Sequence, residues 1–319
     1  MFDTGWTVGG CPYAQEMIDQ DFPHSLDGIR KFAGQATMWG DVVAQFALAS
    51  AYFSQIYREP GVDSIDSIDA EVGSKVDVEG PLLTAHRLAK FYVISCGDAL
   101  SSCSELIRKD HPMHIGSAAL ARTAAEHASR AMYLADPAID WKQRVLRTHE
   151  LFKSSLQKYK SSNDVGAKKL IDDWQRWRAR TGSTFSNVSR QTVGSNRALI
   201  EKQFPHALAY DELSRPTHGN ATWLTLAVIQ EQKGTNYTWC ATLRNFCFAM
   251  DVCVAAGGRL CDLWGLDRDE VLRAMAERDS VEAISWDDFN AMCEWVRVGV
   301  DHLTDNVVVD SREDPQPPR

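Results

Sequence analysis

Arg122, Glu126, His127 and Arg130 place two guanidinium groups, a carboxylate and an imidazole within nine residues of one Ala-rich stretch, Ile115–Asp136. On a helix Arg122 and Glu126 stand one turn apart on the same face, and Arg130 stands one turn further on. A guanidinium pairs bidentately with phosphate and an imidazole titrates near neutrality, so Arg122 and His127 are types that phosphoryl chemistry without a metal can use. The same residues have a structural alternative. Arg122 and Glu126 could form an ion pair supporting the helix by about 0.2–0.5 kcal/mol if exposed, with His127 packed against neighbouring helices.

A second stretch, Tyr210 to Asn220, holds Tyr210, Ser214 and His218 within nine residues, and Pro216 and Gly219 can set a turn that presents them. Ser214 and His218 are too close in sequence for a hydrolase triad, and no orienting acid is evident. Here the alternative is that Ser214 or Thr217 caps the next helix while His218 fills a polar hole between helices. A third stretch, with Trp174, Arg176, Trp177, Arg178 and Arg180, offers rings beside cations, the combination that binds single-stranded RNA. Its alternative is that Trp174 and Trp177 are core, with the arginines solvated or paired to acidic helices.

These residues must be positioned by helices. Ile115–Asp136 has eight alanines, almost no β-branched residues and no proline before Pro137, which makes it the central helix of a bundle. Periodicity predicts helices over Ser25–Tyr57, Leu82–Lys109, Trp141–Ser161 and Asn163–Arg180, then a Ser/Thr/Gly loop over Thr181–Ser195. Shorter helices follow over Arg197–Phe204, near Leu208–Ser214 and over Asn220–Gln232. Thr238–Leu263 is long, and its Gly257-Gly258 signals either close packing or a kink. Asp267–Glu277 and Trp286–Leu303 complete the set. No strand-like alternation persists, so the fold class is all-α. The expected division is residues 1–80 (an irregular start, one helix and an acidic exposed linker or flap over 60–80), a bundle over 81–305, and a disordered tail over 306–319.

Charge and composition exclude several functions. The net charge of −9 argues against a surface that binds nucleic acid throughout. Residues 141–197, however, carry thirteen Lys/Arg against four Asp/Glu, a local +9 that leaves −18 elsewhere, so any RNA contact is expected there. No run of about eighteen apolar residues could span a membrane. The start lacks a basic leader and apolar core, and the eight cysteines read as small buried hydrophobes, so a cytoplasmic location is expected. GxGxxG, GxxxxGK[ST], GxSxG, HExxH, ExxH and CxxC are all missing, and no cofactor is expected. The nearest metal-like group is Asp110, His111 and His114, two imidazoles without a third strong ligand, so no metal site is assigned.

Arg122 and His127 fit R-x4-H, the signature of HEPN ribonucleases, although Arg144–His149 and Arg297–His302 share that spacing. Thr123 stands where active members carry a more polar residue. An R-x3-E helix followed some eighty residues later by Y-x2-L-S-x3-H-G resembles uncharacterised bacterial HEPN-like helical proteins over Leu82–Leu263. That resemblance implies a helical bundle, a homodimer, and one polar pocket joining Arg122, Glu126, Tyr210, Ser214 and His218. It further implies RNA binding or metal-independent cleavage of the kind found in defence and toxin systems. Arg122 would hold the phosphate, His127 or His218 would act as acid or base, and Arg176 and Arg178 would help guide the strand. A non-catalytic sensor or interaction module and a small-molecule pocket stand beside it as alternatives.

Overall fold

The computed structural model of this chain describes residues 25–53, 57–109, 113–156, 164–204, 207–233 and 236–305. Among the described residues there are twelve α-helices and no strand, so the chain is all-α. In order they are α1 (Leu26–Phe53), α2 (Ile65–Val72), α3 (Pro81–Ile107) and α4 (His114–Leu134). Next come α5 (Trp141–Leu156), α6 (Val165–Arg180), α7 (Asn196–Gln203) and α8 (Ala207–Thr217). The last four are α9 (Ala221–Gln232), α10 (Tyr237–Trp264), α11 (Arg268–Asp279) and α12 (Trp286–Asp305). The expected irregular start over 1–24, the break at Asp110–Pro112 with His111, and the tail from 306 lie outside the described residues.

The helix read as central, α4, has most of its alanines inside: Ala118, Ala121, Ala124, Ala125 and Ala128 are completely buried. Methyl-sized side chains let α3 and α10 lie close along it, while α7 and α8 cover another side. α1 packs on α3 and α10 and so belongs to the same core; its Phe32 ring lies 5.1 Å from Trp295 of α12. α10 runs unbroken through Gly257-Gly258. A Cβ at Gly257 would sit 2.9 Å from the Phe46 ring, so Gly257 serves close packing rather than a kink.

The acidic stretch expected as an exposed linker is folded against the bundle. Ser64 caps α2 by accepting from the backbone N–H groups of Asp66 and Ser67, and Ile65, Val72 and Val78 are buried. Asp69 reaches forward to accept from the N–H groups of Leu82 (2.8 Å) and Leu83 (3.0 Å), satisfying the first turn of α3. One of the acids here, Asp69, acts as a helix cap, which is why a polar composition did not mean a solvated linker. A second apolar cluster joins α2, α3, α5 and α6 around Trp174, Trp177 and Phe185.

A buried ionic group ties this side to the core. Glu59, 1% exposed at its side chain, accepts from Nε (2.8 Å) and Nη2 (3.3 Å) of Arg144 and from Nε2 of His86 (2.9 Å). Trp264 Nε1 donates to His86 Nδ1 at 3.0 Å, which fixes the histidine proton on Nε2. Burial alone would raise the Glu59 pKa, but His86 and Arg144 outweigh it and hold it below the ordinary value. The seven described cysteines are free, and burial pushes the Cys103 thiol up to about 12. No helix among the described residues is long and apolar enough to cross a membrane.

Candidate functional site

α4 and α8 build the site between them. α8 is seated by Leu213, which is fully buried, and by Tyr210, 7% exposed. Beyond its last turn Gly219 takes a left-handed φ of 62°, turning the chain and leaving His218 at the corner. Pro216 is accommodated near the end of α8, where it interrupts little of the helix. Asn220, not Ser214 or Thr217, caps α9 by accepting from the N–H of Trp223 at 3.0 Å.

Four of the expected residues meet here. Arg122 Nε donates to Glu126 Oε1 at 3.0 Å, and the Tyr210 hydroxyl donates to the same oxygen at 2.9 Å. Arg122 Nη1 lies 2.8 Å from His218 Nε2 and 3.5 Å from Thr217 Oγ1. The guanidinium carbon is also 5.3 Å from the centroid of the Tyr210 ring. A guanidinium has only hydrogens to offer, so in this contact His218 Nε2 accepts and its proton sits on Nδ1. The Arg122 and Glu126 side chains are 25% and 21% exposed, and His218 is exposed, so the group opens to solvent at its histidine end.

The electrostatics follow from that half-burial. Desolvation would raise the Glu126 pKa, but Tyr210 and Arg122 stabilise the carboxylate more and lower it. Burial, reinforced by Glu126, raises the Tyr210 pKa, so the phenol stays a donor. Glu126 therefore holds both Arg122 and Tyr210, and Arg122 in turn holds His218.

The other expected residues lie apart. Ser214 Oγ donates back to the Tyr210 carbonyl at 2.9 Å, an internal α8 bond. His127 faces α3 rather than α8: its ring centroid is 5.7 Å from that of Tyr92, and its buried Nδ1 has no hydrogen-bond partner among the described residues. Burial, aided by Arg130, lowers its pKa. Arg176 binds Asp77 at 3.0 Å and also pairs with Asp173, while Arg178 lies 5.6 Å from the Phe185 ring. Trp174 and Trp177 are 3% and 0% exposed and offer no stacking face. Two cations of the basic segment, Arg144 and Arg147, are buried.

Sequence reasoning missed Asn196, whose Oδ1 accepts from Arg130 Nη2 at 2.7 Å, and Tyr92, whose ring lies 5.9 Å from the Arg130 guanidinium carbon. It also missed the Glu59–His86–Arg144 group. All join elements distant in the chain, and no local spacing marks them. His114 contacts Thr242 Oγ1 through Nδ1 at 3.0 Å and stacks on Trp223 at 4.7 Å. Burial lowers its pKa to about 4. Among the described residues no group of three His, Cys, Asp or Glu side chains is placed to hold a metal.

Two open cavities lie elsewhere. One of about 700 Å³ is bordered by Tyr57, Glu59 and Trp264, and one of about 810 Å³ by Asp69, Arg87 and Trp174. Neither is lined by Arg122, Glu126, Tyr210 or His218. Compared with protein-family models, with curated proteins and with solved structures, the chain matches none.

Proposed function

We propose that the α4–α8 junction is a metal-independent phosphodiester-cleaving site acting on RNA, in a HEPN-like protein of bacterial defence or toxin type. The observation that carries this reading is the 2.8 Å approach of Arg122 to His218 at a solvent-open edge. A guanidinium beside an imidazole whose Nε2 lone pair is freed once Arg122 turns to a phosphate supplies the two functions that such cleavage needs.

In this reading the RNA phosphate takes over the Arg122 contact now made with His218. His218 Nε2 accepts the proton of the ribose 2′-hydroxyl, whose oxygen attacks phosphorus. Arg122 stabilises the charge gathering on the phosphoryl oxygens, and the protonated imidazole returns a proton to the departing 5′-oxygen. The products are a 2′,3′-cyclic phosphate and a 5′-hydroxyl. Glu126 and Tyr210 touch no substrate; they orient Arg122. RNA contact along 141–197 is through charge rather than stacking on Trp174 or Trp177, which face inward. The test is a substrate with a 2′-deoxyribose at the scissile position, which this chemistry leaves uncut while the all-ribose strand is cleaved.

A second reading, a non-catalytic module in which the same group ties α8 to α4, is favoured by the doubly bonded Glu126 Oε1. In that case folded protein does not cleave RNA.

A further inference from the structure

α4 carries a second guanidinium one turn beyond Glu126. Arg122 and Arg130 are eight residues apart, so along the helix the two cations stand about 12 Å apart with the Glu126 carboxylate between them. Their partners differ. Arg122 is paired with Glu126 at 3.0 Å, whereas Arg130 Nη2 donates to the neutral Asn196 Oδ1 at 2.7 Å. Glu126 gives its bonds to Arg122 and Tyr210, and among the described residues no carboxylate lies within ion-pair distance of Arg130. The Tyr92 ring backs the guanidinium, 5.9 Å from its central carbon. α7 and α8 hold the two cations side by side. Asn196 is followed by Arg197, which binds Asp211 of α8 at 3.1 Å, and Asp211 follows the Tyr210 that holds Glu126. In the basic segment, by contrast, Arg176 and Arg180 are both engaged by Asp77, at 3.0 and 3.5 Å. A half-buried cation without a counter-ion is costly, and a guanidinium has five donors, so Arg130 keeps both its charge and its fork for an anion.

We propose that Arg130, set by Asn196 and Tyr92, is a second phosphate subsite of the α4–α8 junction, binding a phosphodiester of the same RNA strand beyond the scissile one. This rests on the RNA reading of that junction and adds a substrate class to it: a strand long enough to reach both cations, rather than a dinucleotide. The strand then runs along α4, past α8 and α7, and not over α6. A phosphate held by Arg130 is remote from the reacting atoms, so its contact is equally strong in the ground state and the transition state. Its loss therefore shows as a higher KM for long strands rather than as a lower kcat.

Cleavage of a dinucleoside monophosphate and of an oligouridylate of about eight nucleotides by the full-length chain, with wild type, Arg130→Gln and Asn196→Asp, tests it. In wild type kcat/KM is expected to be at least about 10-fold higher for the longer strand. Each substitution is expected to remove most of that advantage, as a rise in KM for the longer strand, and Arg130→Lys to keep part of it. Arg130→Gln could also loosen α7. Asn196→Asp is near-isosteric and sets a carboxylate against Arg130 in the first turn of α7, where an acid is favourable, so it cancels the charge without removing the packing. A wild type that cleaves both substrates equally well overturns the proposal and leaves the Arg122–His218 reading standing. So do folded variants that keep the full advantage, or that lose cleavage of both substrates in parallel. A folded wild type that cleaves neither substrate overturns that reading and the second subsite with it.

Discussion

Arg122 and His218 are ninety-six residues apart in sequence, yet Nη1 of one lies 2.8 Å from Nε2 of the other. The contact depends on two supports. Glu126 and Tyr210 hold the guanidinium from below, and the left-handed turn at Gly219 stops α8 with His218 at the edge of α4.

The first support can be removed with little change in volume. Tyr210→Phe deletes the hydroxyl that donates to Glu126 and keeps the ring beside Arg122. Loss of a half-buried bond to a carboxylate is expected to destabilise the fold by about 1–2 kcal/mol, read as a lower urea midpoint with an unchanged slope. RNA cleavage is expected to fall with it, because Arg122 then samples more orientations. A variant as stable as the wild type would show that Glu126 does not need the phenol.

The buried Glu59–Arg144 pair is under harsher terms. Arg144→Met leaves Glu59 with His86 alone in a site 1% exposed and is expected to cost about 3–5 kcal/mol. Adding Glu59→Leu to the same chain is expected to recover part of that loss, because no uncompensated carboxylate then remains buried. Chemical denaturation of the two singles and the double measures the coupling. Strictly additive losses would contradict it.

The helices were largely legible because their signals are local. The alanine run marked α4 to within two residues of its observed ends, and Gly257-Gly258 marked either a close approach or a kink, an alternative that only the position of Phe46 against Gly257 decides. In the candidate site, the pairing of Arg122 with Glu126 follows from helical spacing. The meeting with Tyr210 and His218 does not; it came only from the family resemblance. The acidic 60–80 stretch was misread because composition cannot distinguish a solvated aspartate from one that caps α3 thirteen residues away, as Asp69 does. The inward turn of Arg144 was equally hidden, since its carboxylate lies eighty-five residues upstream.

Acid should weaken the fold through His114. Burial against Trp223 lowers its folded pKa from 6.5 to about 4, so below 6.5 the unfolded chain binds the extra proton first. Stability is therefore untouched by this group above pH 6.5 and declines as pH falls from 6.5 towards 4. Burial lowers the pKa of His86, His127 and His149 as well, so His114→Gln is expected to flatten the decline only in part. Urea midpoints at pH 7.5, 6 and 5 measure it; a wild-type midpoint constant over that range would refute the assignment.

The close packing of α10 on α1 gives a steric test. Gly257→Val places branched methyl groups where even a Cβ approaches Phe46 to 2.9 Å, and a loss of about 1–3 kcal/mol is expected. Gly257→Ala should lose less, since its helix propensity offsets part of the crowding by up to about 1 kcal/mol. A thermal shift of the valine variant no larger than that of alanine would mean that the helices separate freely there.

The most direct test of the site is cleavage of single-stranded RNA by purified protein in EDTA, beside Arg122→Ala and His218→Ala variants whose folding is checked by their unfolding transitions. The account predicts cleavage that survives chelation, leaves a 2′,3′-cyclic phosphate, and falls by at least about 100-fold in each folded variant. Folded wild-type protein that leaves RNA intact, or cleavage undiminished in His218→Ala, would contradict it and leave the Arg122–Glu126–Tyr210–His218 group as the structural tie between α4 and α8.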